Sequence, residues 1–364
     1  MKKFFFLLLV VALPAALIAC GDSEPQSEKT GGTYIAIVSK GFQHQFWQTV
    51  YSGSKAAAAA LGAEISFEGP PSETNIDMQI DMVSAALSKK PNALCLAIID
   101  VSRLNDKLEA AKAAKIPVIG FDSGIPDAPE GVVVSTACTD NYVAGGLAAV
   151  KLFEEASIKK RISAATSDSP IIIGVLSKDA ISVSIVERTR GFVDRFRQLS
   201  ESLHPGAVEI SGHNLFAQPA ASGTVVDIKV LIPPTTEYTD AQISAQNMFN
   251  DLKNLIGVFC SNEGAVTGLL AATNDGKDLD RANGVHKGVI VIGFDSGISQ
   301  KQAIRKQYFH GSITQDPYRI GYLAVELAYK AIKGEQIDAV VDTGCKFYNH
   351  ENIGDPDIAQ LIYD

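Results

Sequence analysis

Short apolar runs bounded by polar loops alternate along this chain with longer stretches whose apolar positions recur every three or four residues. The first kind predicts buried strands and the second helices that cover them. Tyr34 to Val38 reads as a strand and Gln48 to Leu61, rich in alanine, as a helix. Ile65 to Phe67 is the next strand, and Ile76 to Leu87 a helix on the spacing of Ile76, Ile80, Val83, Ala86 and Leu87. Ala93 to Ile99 follows as a buried strand, Leu104 to Ala114 as a helix ended before Pro117, and Val118 to Phe121 and Val132 to Ser135 as strands. The pattern then restarts. Helices are predicted at Tyr142 to Ala156, Val186 to Leu199, Ala241 to Leu252, Ala265 to Ala272, Gln300 to Lys306 and Tyr318 to Ile332. Strands are predicted at Ile171 to Leu176, Val225 to Leu231, Ile256 to Cys260, Val289 to Phe294 and Phe309 to Thr314.

This rhythm predicts an α/β fold of two similar lobes, each a parallel sheet covered by helices on both faces, with ligand-facing groups at the carboxyl ends of strands. The chain is expected to pass between lobes near Cys138, near Gln315 and again after Gly334. The first lobe would hold residues 33–137 and 316–338, and the second residues 138–315 and 339–364. Several crossings make a hinge about which two cores can approach without unravelling.

Ahead of the first strand, Lys2 and Lys3 precede the apolar run Phe4 to Ala19. At about 1.5 Å per residue that run is short for a bilayer span, and its charged-then-apolar order is that of an export signal. It ends Leu17-Ile18-Ala19-Cys20-Gly21, which resembles the lipobox of bacterial lipoproteins. The resemblance implies a signal peptide at 1–19, lipidation at Cys20 and anchoring of an extracytoplasmic protein to a bacterial membrane. The polar stretch 20–32 has the composition of a flexible tether.

Composition narrows the function. With 364 residues, 46% of them hydrophobic, the chain can build two cores and is neither disordered nor fibrous. Acidic residues number 41 against 32 basic ones, with no basic arm, so nucleic acid is not an expected partner. Cys95, Cys138, Cys260 and Cys345 show no metal-ligand spacing and read as single thiols, Cys95 and Cys260 within apolar strands. No metal or cofactor is expected.

Four blocks carry a family likeness: `VSKGFQHQFWQTVYSG` at 38–53, `IPVIGFDSGI` at 116–125 with Thr139-Asp140-Asn141, `GVFCSNEGA` at 257–265, and `VIGFDSG` at 291–297 with `ITQDPYRIG` at 313–321. In order and spacing the chain from about residue 33 to 360 resembles the type I periplasmic sugar-binding proteins, the solute receptors of ABC importers. The resemblance implies two Rossmann-like lobes joined by a multi-strand hinge, and reversible capture of a monosaccharide or related polyhydroxy solute for delivery to a membrane permease. Lactose-type transcription repressors share the lobes, but here an export signal stands where their DNA-binding segment would be.

A sugar needs aromatic plates for its C–H faces and fixed partners for its hydroxyls. Phe46 and Trp47 stand where the family places stacking aromatics. His44 precedes them where ribose receptors carry asparagine, with Gln43 a competing choice. Asp122 ends a buried strand and can accept from vicinal hydroxyls, but Ser123 replaces the arginine that follows it in ribose receptors. Asn262, Asp295 and Gln315 are the second-lobe candidates. Arg188 competes in register with Val186, and Tyr238 is a candidate second aromatic wall.

Asp122 and Asp295 are also the pair a catalytic reading would use, but no GxGxxG, P-loop, GxSxG or HExxH accompanies them, and no enzyme is expected. A sensory receptor remains the main alternative to transport. The solute could equally be a nucleoside, a polyol or a furanone-like signal. A phosphorylated sugar is disfavoured on the expectation of few cations in the wall. A monomer is expected, since the lobes must be free to close.

Overall fold

The computed structural model of the protein describes residues 32–42 and 44–363. The signal peptide expected at 1–19, Cys20, the tether as far as residue 31 and Gln43 lie outside the described residues. The first run of elements is β1 (Tyr34–Val38), α1 (Gln45–Leu61), β2 (Glu64–Glu68), α2 (Ile76–Ser88), β3 (Ala93–Leu96), α3 (Asn105–Ala113), β4 (Val118–Phe121) and β5 (Val133–Cys138). The second is α4 (Asn141–Glu154), α5 (Ala156–Ala164), β6 (Ile171–Leu176), α6 (Val183–Glu201), β7 (Val208–Ser211), β8 (Val226–Leu231), α7 (Tyr238–Asp251), β9 (Leu255–Cys260), α8 (Glu263–Ala272), β10 (Ile290–Phe294), α9 (Ile298–Arg305) and β11 (Gly311–Thr314). The chain ends with α10 (Pro317–Ile332), β12 (Val340–Asp342), β13 (Lys346–Tyr348) and α11 (Pro356–Ala359).

The strands form two sheets, β2-β1-β3-β4-β5-β12 and β7-β8-β6-β9-β10-β11-β13, parallel throughout except where β13 runs against β11. Each sheet is buried on both faces, which is why its strands read as near-continuous apolar runs. In β1, Ile35 and Ile37 pack into the core beneath α1 and α10, while Ala36 and Val38 face the core beneath α2 and α3. In β6, Ile171, Ile173 and Val175 meet residues of α4, α5 and α6, and Leu176 faces the α7 and α8 side. All four cysteines among the described residues are free, with Cys95 and Cys260 fully buried in their strands.

Helix pairs close the same face of both lobes by backbone approach. A Cβ at Gly53 of α1 would overlap the Tyr318 carbonyl of α10, and one at Gly321 would overlap the Val50 carbonyl of α1. The second lobe repeats the device with Gly145 of α4 and Gly191 of α6. Only glycine permits such spacing, because close-packed interiors hold no slack for a methyl group.

Several expectations change in detail. The helix expected to run to Ala156 stops at Glu154, because Glu155 turns extended and its carboxylate caps α5 through the N–H groups of Ser157 and Ile158. The helix was therefore two. β7 was not anticipated, since its four residues sit beside a glycine- and serine-rich stretch that hides the strand signal. The last crossing also moves. Residues from 339 onward were expected in the second lobe, yet β12 pairs with β5 in the first sheet, and the chain leaves that sheet only after Asp342. Its short, exposed strand has no core face to announce it.

Gly321→Ala should destabilise the fold by about 1–3 kcal/mol, the usual cost of overpacking. Urea unfolding followed by circular dichroism measures this; an unchanged midpoint would contradict the close approach of α1 and α10.

Candidate functional site

Two strands that end toward the same space carry one sequence: VIGFDSGI occurs at 118–125 through the end of β4 and at 291–298 through the end of β10. In each copy the phenylalanine is the last strand residue and the aspartate turns left-handed, with φ 64° at Asp122 and 72° at Asp295. Asp122 N–H still donates to Ala137 O at 3.0 Å and Asp295 N–H to Ile313 O at 2.7 Å. The carboxylates are thus turned over the sheet ends by a conformation that aspartate tolerates better than most residues. A second repeat ends β1 and β6, as Val38-Ser39-Lys40 and Leu176-Ser177-Lys178. These strands lie where the order of each sheet reverses, the place at which open parallel sheets form a crevice.

The four strand ends face one cavity. Lys40 Nζ donates to Asp122 Oδ2 at 2.6 Å within the first lobe, and to Ser182 Oγ at 3.0 Å and Ser184 Oγ at 3.1 Å in the second. All three ammonium hydrogens are used. From the opposite side Lys178 forms an ion pair with Glu73 of the β2–α2 loop, with Asp179 at 3.5 Å. Trp47 Nε1 donates to the other Glu73 oxygen at 2.9 Å, so the first turn of α1 holds the carboxylate that receives Lys178. At the rim Ser72 and Thr74 donate to Glu237 Oε1 at 3.0 and 3.3 Å. The lobes are closed on each other.

Burial alone would raise the Glu73 carboxyl, but the Lys178 ammonium, helped by His44 and Lys40, outweighs it and brings it to about 2. Burial would lower Lys178, and Glu73 and then Asp179 instead hold it above its ordinary range. Burial, against the pull of Glu73, lowers His44 from its ordinary value. Glu263, at the start of α8, is pushed up to about 7 by burial and then by Asp295.

The second-lobe wall is built on α6 and on loops after β9, β10 and β11. Arg188 is buried, its Nη1 on Ser261 O at 2.7 Å, its Nε and Nη2 on Asn141 Oδ1 at 3.1 and 2.7 Å, and its guanidinium 3.5 Å above the Phe294 ring. Asp295 accepts from Gln315 Nε2 at 2.8 Å and from Glu263 N–H at 3.0 Å. Asn262 caps α8 by accepting from Ala265 N–H at 3.0 Å.

The family model for the periplasmic binding protein domain matches residues 35–336. The chain belongs to that family. Among relatives, the ribose import binding protein RbsB of Salmonella typhimurium is 25% identical over 340 residues, covering 93% of this chain and 95% of that protein. A solved structure from Brachyspira murdochii, described as an ABC transporter, LacI family transcriptional regulator, superposes with TM-score 0.76 at 38% identity, over 92% of this chain and 99% of that one. A carbohydrate transporter solute-binding protein from Agrobacterium radiobacter, in complex with D-arabinose, gives 0.73 at 27% identity, over 92% and 100%.

In this periplasmic binding protein every residue expected at the ligand except Tyr238 lines the cavity: His44, Phe46, Trp47 and Asp122 from the first lobe, and Arg188, Asn262, Asp295 and Gln315 from the second. Tyr238 stands behind it, its hydroxyl 3.2 Å from His44 Nδ1 and its ring edge-on to the imidazole, rather than forming a wall. The register of α6 puts Arg188 at the cavity and packs Val186 against the core. The expectation of few cations is corrected, since Lys40, Lys178 and Arg188 all line the space. Lys40, Glu73, Lys178 and Glu263 were missed; the two lysines had a signal in the repeated serine-lysine that follows the first strand of each lobe.

Glu73→Gln leaves buried Lys178 with only the longer contact to Asp179, a loss of up to about 3 kcal/mol that opening of the cleft relieves by hydrating the ammonium. Small-angle scattering of the ligand-free variant should give a larger radius of gyration at a nearly unchanged melting temperature; an unchanged radius would contradict a cross-lobe role for the pair. Glu263 has the opposite sign to Glu73: its raised folded pKa means the folded state binds the extra proton, so stability contributed at low pH is lost as pH rises from about 4.5 through about 7. Denaturant titrations across that window should show a decline that Glu263→Gln removes, and parallel profiles for the two proteins would contradict it.

Proposed function

We propose that this protein is the extracytoplasmic receptor of an ABC importer, capturing a monosaccharide or related small polyhydroxy solute between its lobes and presenting it to a membrane permease. The observation that carries this reading is the convergence of Asp122 and Asp295, one from each lobe, on a cavity that Phe46 and Trp47 also line. Carboxylates at strand ends accept from vicinal hydroxyls, and aromatic faces cover the apolar side of a sugar ring. His44, Arg188, Asn262 and Gln315 complete the hydroxyl partners, and Tyr238 orients His44. Support comes from the relatives: RbsB is named for ribose import, and the Agrobacterium radiobacter protein is described with D-arabinose bound.

Capture and release leave the solute chemically unchanged. Closure follows from binding only to the extent that the solute prefers the closed cleft, since equal affinity for both arrangements shifts nothing. Residues 1–19 act as the export signal, Cys20 carries the lipid, and 20–32 tether a monomeric body to the membrane.

Native mass spectrometry of the purified full chain, with fragmentation of any retained adduct, identifies the solute; a pentose- or hexose-sized adduct is expected. Calorimetry with that sugar should show Asp295→Ala binding about tenfold to a hundredfold more weakly, the worth of a hydrogen bond to a charged group. A retained solute without hydroxyls, or an unchanged affinity in the variant, would overturn the reading.

A further inference from the structure

We propose that the second-lobe side of the cleft is a subsite for a protonated amine, so that the solute is an amino sugar or a similar aminated polyhydroxy compound. This rests on the capture reading above and narrows it. Two independent observations lead to it.

The first is charge. Lys40 is matched by Asp122 and Lys178 by Glu73. The Arg188 guanidinium is bonded only to neutral acceptors, and Asp295 is the first acid it faces through space. Asp295 and Glu263 then share that one cation along the cavity wall, and neither is in an ion pair among the described residues. The wall carries one carboxyl more than it carries cations.

The second is an orphaned acceptor. Gln315 Nε2 must face Asp295, because a carboxylate accepts and the amide oxygen cannot donate to it. That fixes the amide, and Gln315 Oε1 has no hydrogen-bond partner among the described residues although the residue is only 3% exposed. Buried polar atoms left without a partner are rare enough to demand an explanation. Gln315 Oε1 is therefore an acceptor without a donor, beside two carboxyls, Asp295 and Glu263, that share a single cation. A sugar hydroxyl brings one hydrogen and no charge. An ammonium brings three hydrogens and the missing charge.

Glu263 behaves as such a site would in the absence of a cation. Burial, then Asp295 and Glu73, favour its protonated form, against the pull of Tyr363 and Lys301. A bound ammonium would expel that proton.

The test is calorimetry on the purified full chain at about pH 6, where a free amine is protonated, with three matched sets: D-glucosamine, D-galactosamine and D-mannosamine, each against its neutral parent and its N-acetyl derivative. In at least one set the amine should bind about tenfold more tightly than both others. Repeating that titration at about pH 7 in phosphate and in Tris should give different apparent enthalpies, from the released proton, and Glu263→Gln should abolish that difference. Equal or tighter binding of the neutral parent in every set overturns the amine subsite and leaves sugar capture standing. Absence of binding by every member overturns the amine subsite on a hexose, while capture itself stands or falls on the adduct retained in native mass spectrometry.

Discussion

A charge taken out of water and left alone costs several kcal/mol, and the cleft of this protein hides charges that come from different lobes. Lys178 follows a strand of the second sheet and Glu73 a strand of the first, so the closer of the two carboxylates that neutralise Lys178 comes from the opposite lobe. Bringing the lobes together pairs them, and moving them apart returns both to water. The cost of desolvation and the gain from pairing nearly cancel in such arrangements, which leaves the balance between open and closed to smaller contributions. A solute that adds a few hydrogen bonds across the gap can then decide it. Trp47 ties this electrostatic latch to the aromatic wall by holding Glu73 from the first turn of α1.

The other determinant is the geometry of strand ends. Parallel sheets put all their carboxyl ends on one side, and two such sheets facing each other deliver the residues after β1, β4, β6, β9, β10 and β11 to one space. The chain uses the same eight residues twice for this purpose, then differentiates the copies by what surrounds them. Asp122 is neutralised by Lys40, whereas Asp295 is held by a side-chain amide and a backbone N–H. One wall is charge-matched and the other is left rich in acceptors, an asymmetry on which the proposed amine recognition depends.

Much of this was legible in the sequence because buried parallel strands write themselves as uninterrupted apolar runs. Val118 to Phe121 and Ile171 to Leu176 coincide with β4 and β6 as read. The strand-end aspartates followed from the same runs, since position after a buried strand is itself the signal. What escaped were features set by tertiary pairing. β12 and β13 are three residues each, too short to write an apolar run although Tyr348 of β13 is fully buried. Glu73 lies in a loop whose composition says only turn, and its role depends on a lysine far along the chain. Lys40 and Lys178 look like solvated loop charges until the lobes are brought face to face. Tyr238 is likewise placed only by the folded arrangement, which sets its hydroxyl against His44 and leaves it out of the cavity lining.

The most direct measurement is a crystal structure of the protein with its captured solute. The expected result is one polyhydroxy molecule in hydrogen-bond contact with both Asp122 and Asp295 and stacked against Phe46 or Trp47, with both lobes contributing. A solute bound outside this cavity, or held by one lobe alone with the other carboxylate untouched, would contradict capture by closure between the two sheets.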